Sequence, residues 1–150
     1  MITSSLFGIV GPADRIPAYR LSGDAVLPGL GRVAGHWRAA LGEVTNEIVG
    51  TGLVVDLRSS TYAAFWRPPP AMASHVTTVR VLHDVGGKRQ VVSHFNKATK
   101  GRIVRSLLES GAHPRTPTRL AEALRDLGWR VEVGVPTPRG TPLDVVVDQL

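Results

Sequence analysis

The sequence predicts an α/β fold with an α+β-like order: a mixed β-sheet with helices packed on it, including β-hairpins. Three observations predict it. One is a continuous apolar pentapeptide, the second a pair of alternating runs around Gly86-Gly87, and the third a set of segments with apolar residues at helical spacing. Along the chain the order is helix, strand, helix, hairpin, two helices, hairpin, which fits a sheet layered with helices.

Residues 2–10 are apolar and read as the end of a buried strand running into a turn, which Gly11-Pro12 breaks. An irregular stretch with Tyr19-Arg20-Leu21 follows and ends at Pro28-Gly29. The spacing of Leu30, Val33, Ala34, Trp37, Leu41, Val44 and Ile48 predicts a helix over 29–49 with one apolar stripe, so Trp37 is a packing residue. The pentapeptide at 53–57 suits a central strand covered on both faces. Arg58-Ser59-Ser60 leads from it into a short helix through Tyr62, Phe65 and Trp66, stopped by Pro68-Pro69-Pro70. Runs 76–84 and 88–94 flank Gly86-Gly87 as a hairpin. A helix over 96–109 is capped by Asn96 and ended by Gly111. Thr116-Pro117 opens another, with Leu120, Ala121, Leu124 and Leu127 inward and Gly128 at its end. Strands at 129–135 and 143–147 close the chain.

With 150 residues, 43% of them hydrophobic, the chain fits a single domain over 1–150 with a real core. No apolar run approaches membrane-spanning length, and no basic segment precedes an apolar one at the start, so the cytoplasm is the expected location. Cysteine is absent, which excludes disulfides, cysteine–zinc sites, iron–sulfur clusters and thiol nucleophiles from these residues. The net charge of +6 favours polyanions such as nucleic acid or phosphorylated small molecules. Arginine on solvated faces gives the same balance with no partner at all.

The most informative segment is the helix start at 96–105. Projected at helical spacing, Ile103, Val104, Leu107 and Leu108 define the face to be buried, and Lys100 and Lys97 fall on that stripe. Arg102, Arg105 and Glu109 point outward. An ionised lysine facing a core costs several kcal/mol unless it meets a partner or a cavity, or snorkels to water. Free N–H groups at the helix start favour an anion there, and Gly101 allows a ligand or backbone to approach closely. Two further candidates are the strand-to-helix run from Asp56 through Arg58 and Ser59, where open α/β sheets bind ligands, and Tyr19 with Arg20 as a substrate clamp or an ion-pair partner. Ser59 equally suits a plain N-cap. The five histidines show no metal spacing and no glycine-rich phosphate loop is legible, so neither a metal nor a cofactor is expected.

Tyr19-Arg20-Leu21, the run 54–62, and Val92-Ser93 through Lys97-x-x-Lys100-Gly101 with Arg105 together resemble the peroxide stress protein YaaA family in order and approximate spacing. Ser5-Leu6-Phe7-Gly8-Ile9-Val10 with Pro12 is similar to that family's segment just upstream of its Tyr-Arg-Leu. The resemblance spans nearly all of the chain and matches the C-terminal part of longer members. Gly23 stands where many have methionine, and Lys100 replaces a common arginine, keeping the charge but losing the planar fork. What the resemblance implies is a cytosolic protein of the hydrogen peroxide response that binds DNA through a basic cleft lined by Arg20, Tyr62, Lys97, Lys100 and Arg105.

Two functions stay open on the sequence. Nucleic-acid binding predicts an affinity that falls steeply with salt. A binding protein or enzyme for a small phosphorylated or carboxylated ligand would use Lys97 and Lys100 as an anion clamp or as catalytic groups. A fragment with no activity of its own, exposing apolar surface, is a third expectation. Oligomeric state is not legible.

Overall fold

The computed structural model describes residues 1–91 and 93–148, with the side chains of Ser93, His94 and Phe95 outside that description. They form two compact units, each built from two stretches of chain: 1–50 with 58–67, and 51–57 with the residues from 68 onward.

The first unit opens with two short antiparallel strands, β1 (Ile2–Ser4) and β2 (Gly8–Val10), rather than one buried strand. Ser4 and Ser5 are buried in the turn while Ile2, Leu6 and Phe7 are exposed. Gly8 is required there, because φ is +76° and a Cβ would sit 2.6 Å from the Trp37 ring. A second small hairpin, β3 (Val26–Leu27) with β4 (Gly31–Arg32), leads directly into α1 (Val33–Val49). The helix therefore starts four residues later than its apolar spacing indicates, because Gly29 and Gly31 adopt positive φ in the turn. Val33, Leu41 and Phe65 form the core, joined by Ile9, Leu21, Ala34, Trp37 and Tyr62. Leu30, Val44 and Ile48, predicted inward, are exposed, and Thr45 is buried in their stead. α2 is a single turn, Ser60–Ala63.

The second unit is a mixed five-stranded sheet. β5 (Val54–Asp56), β6 (Val76–Val85) and β9 (Thr141–Val147) run parallel, with β7 (Lys88–Gln90) antiparallel to β6 and β8 (Arg130–Val133) antiparallel to β9. Among the described residues β5 pairs β6 and no other strand, so the central position expected for 53–57 is corrected to an edge. A continuous apolar run marks parallel pairing but does not reveal how many neighbours a strand has. The predicted hairpin is present with a shorter return strand: Gly86 and Gly87 have φ of +60° and +80°, and Asp84 Oδ1 accepts from the Gly87 amide at 2.9 Å. Val92, predicted in that strand, lies outside the described residues.

Helices α3 (Ser93–Ser110) and α4 (Pro117–Asp126) pack on one face of this sheet. Register explains which face. Val79, Leu143, Val145 and Val131 share a side across β6, β9 and β8, and meet Ile103 of α3 and Leu120, Ala121 and Leu124 of α4. The alternate positions carry charge instead: Arg80 pairs Asp144 in a two-pronged bridge at 2.6 Å, and Arg89 reaches Glu132. Thr116 caps α4 as predicted, its Oγ1 accepting from the Arg119 amide at 3.2 Å, with Pro117 in the first turn. A glycine is needed at 140 also, since φ is +117° and a Cβ would lie 2.5 Å from the Val76 carbonyl oxygen. No described helix is long and apolar enough to cross a membrane.

Candidate functional site

α3 sets the geometry of the candidate residues in the second unit. It begins at Ser93, so Asn96 lies within the helix and is not its cap. Thr99 and Ile103 are buried, while Asn96, Lys100, Ser106 and Leu107 are half-buried. The inner stripe is therefore 96–99–100–103–107. Lys97, Gly101, Val104 and Leu108 make up the neighbouring line, and all four are exposed, Leu108 to 76%. This corrects the expectation that both lysines face inward. Lys97 is on the solvent side, and only Lys100 enters the interior.

The Lys100 ammonium donates to the Leu57 carbonyl at 2.9 Å, just past the end of β5. Burial pushes its pKa down, and the negative charge of Asp56 opposes that shift. Asp56 is itself 9% exposed. A cation thus sits at the C-terminal end of a parallel strand, the place where open α/β sheets present ligand groups. Arg102 and Arg105 are exposed as predicted. Arg102 donates to Thr99 Oγ1 at 3.3 Å, and Arg105 bridges Glu109 at 2.7 Å one turn on. Above Gly101 there is open space: a Cβ built there meets nothing within 4 Å.

In the first unit, Tyr19 and Tyr62 are brought together through the β1–β2 turn. The Tyr19 hydroxyl accepts from the Ser5 amide at 3.2 Å and shares a 2.7 Å hydrogen bond with Ser4 Oγ. Ser5 Oγ donates to the Tyr62 hydroxyl at 3.0 Å, and Trp37 Nε1 donates to the Ser5 carbonyl at 2.7 Å. The sequence offers neither serine as a candidate site residue. The available signal was a pair of small polar residues inside an apolar run. Arg58 is half-buried; its guanidinium donates to the Tyr62 and Trp66 carbonyls and lies 5.3 Å from the centre of the Trp66 ring. Ser59 occupies the N-cap position of α2 without a side-chain cap bond. Arg20 is exposed. Tyr19, Tyr62 and Arg58 therefore form one hydrogen-bonded group, and Lys100 with the end of β5 forms another.

A shallow groove of about 470 Å³ runs along the start of α4, lined by His113, Arg115, Arg119, Glu122 and Asp126 among others. Its charges are mixed, and Arg119 is already paired with Glu122 at 2.9 Å. It is not a basic cleft.

Comparison with known proteins adds the family. The family model described as peroxide stress protein YaaA matches residues 1–133. The chain is similar to UPF0246 protein SCO2297 of Streptomyces coelicolor, 54% identical over 152 positions that cover 100% of this chain and 58% of that one. It is 41% identical to UPF0246 protein CE1889 of Corynebacterium efficiens over 88% of this chain and 53% of that protein. A UPF0246 protein of Bacteroides thetaiotaomicron is 30% identical over 73% of this chain and 44% of its own length. The chain thus spans about half the length of the curated relatives it matches.

Proposed function

The chain belongs to the peroxide stress protein YaaA family, and from that premise we propose that it serves the peroxide response in the cytoplasm by binding DNA. The observation that supports this best is the exposed line of α3. Lys97, Gly101 and Arg105 succeed one another at four-residue intervals, all exposed, with Arg102 beside them. A nucleic-acid backbone wants cations that reach outward, and a glycine between them lets a phosphate come close to the helix.

Arg105 spends its charge on Glu109, but an exposed pair of this kind is worth only about 0.3–0.5 kcal/mol and yields readily to a phosphate. With no cysteine among its 150 residues, the chain has no thiol with which to reduce or sense peroxide. Shielding a target by binding it requires none. A small anion clamped by Lys97 and Lys100 together is less well served, because one lysine is exposed and the other is engaged at the Leu57 carbonyl.

The test is anisotropy of a labelled duplex titrated with the chain over a salt series. Affinity should fall with salt, with a log–log slope of about −0.9 per phosphate contact. Replacing Lys97, Arg102 and Arg105 by alanine should remove up to about three contacts from that slope. Absence of binding, or binding indifferent to salt, rejects the proposal.

A further inference from the structure

The groove along α4 belongs to the second unit and shares no residue with the cationic line of α3. Arg119, Glu122, Ala123 and Asp126 line it at three- and four-residue spacing, so they share the face of α4 opposite Leu120, Ala121 and Leu124, which enter the core. Half-buried Ala112, Pro114 and Ala123 supply its apolar lining. The charges are sorted by position. In the middle, Arg119 and Glu122 neutralise each other at 2.9 Å. That leaves Arg115 just before the start of α4 and Asp126 at its last residue, both exposed, and among the described residues neither has an ion pair or a side-chain hydrogen bond. Helix stability alone does not select this order. α4 has no acid in its first turn and carries one in its last, against the helix dipole, while Arg125 of that turn is drawn away to the Val131 carbonyl at 2.9 Å. We propose that the groove is a site for a short zwitterionic peptide, held with its carboxylate at Arg115 and its ammonium at Asp126.

Volume, length and charge agree on this class of ligand. The groove holds about 470 Å³, within the range of small-molecule sites. From Pro117 to Asp126 the helix rises about 14 Å, and four extended residues span about 13–14 Å. The Arg115 guanidinium offers a planar fork of N–H donors that matches a carboxylate, and His113 lines the groove with it. Asp126 has only acceptors to offer when ionised, which suits an ammonium. A nucleic-acid backbone laid along the same groove would meet Glu122 and Asp126, two charges of its own sign.

The experiment titrates the full chain, labelled with nitrogen-15, with tetraalanine bearing free termini, and follows backbone amide shifts by NMR. Shifts should concentrate at Ala112, His113, Arg115, Ala123 and Asp126. Acetylating and amidating the peptide should weaken binding about tenfold, since an exposed charge pair at each end is worth a factor of up to about five. Arg115→Gln should erase the loss caused by amidation alone, and Asp126→Asn the loss caused by acetylation alone. Both residues are exposed, so neither change reaches the core. Amide shifts absent from these positions, equal binding of the blocked peptide, or variants that leave both losses intact overturn the proposal.

Discussion

α3 and α4 pack on the same face of the same sheet, but they are held in different ways. α4 places Leu120, Ala121 and Leu124 in the core without a polar interruption and is fixed at its start by Thr116 and Pro117. Among its described side chains, α3 gives the core one fully buried large residue, Ile103, with Leu107 partly buried beside it, and places Asn96, Thr99 and Lys100 on the rest of its inner stripe. Its apolar Val104 and Leu108 face outward. A helix that carries the fold and a helix that carries candidate site residues thus divide their positions differently. Apolar residues are surplus on the second, and polar ones occupy positions that packing alone would give to leucine.

The sharpest way to break the comparison is to truncate both helices. Leu124→Ala should cost about 2–5 kcal/mol in a urea melt, the ordinary consequence of a cavity at a fully buried leucine. Thr116→Ala should cost about 1 kcal/mol by removing the cap of α4. Leu108→Ala on α3 should stay within about 0.5 kcal/mol. A loss at Leu108 approaching that at Leu124 would mean that α3 is as much a core helix as α4.

Lys100 gives a subtler contrast. Its pKa is lower in the folded chain than in the unfolded one, so between the two values the folded chain binds fewer protons. Stability then rises with pH across that window, and the destabilising contribution is largest below the folded value. Lys100→Met should flatten the rise in urea melts taken from about pH 7 to about pH 10, raising stability most at the lower end of that range. An unchanged slope would place the lysine in water after all. No α4 residue should alter that slope.

The sequence made α4 legible because propensity, cap and periodicity agree there. The Gly86-Gly87 hairpin and the strands around Val131 and Val145 were legible for the same reason. α3 was misjudged in phase. Apolar type predicts burial for Val104 and Leu108 and draws Lys97 in with them; a type pattern counts residues, whereas burial depends on what the sheet offers opposite. Within the candidate site, Arg102, Arg105 and the inward course of Lys100 were readable. The Ser4–Tyr19 and Ser5–Tyr62 hydrogen bonds were not, because they join residues up to 57 positions apart. The same holds for the Arg80–Asp144 bridge on the far side of the sheet, which exists only once β6 and β9 are in register.

The two units are interleaved along the chain: the first takes 1–50 and 58–67, and the second inserts 51–57 between them. Seven residues leave the first unit, supply an edge strand to the second, and return. Neither unit is therefore a cassette. No single crossover in the gene can exchange one for another, duplicate it or delete it, and no single proteolytic cut liberates it whole. Truncations made to isolate either half will remove part of the other, because the chain crosses between the units at three points.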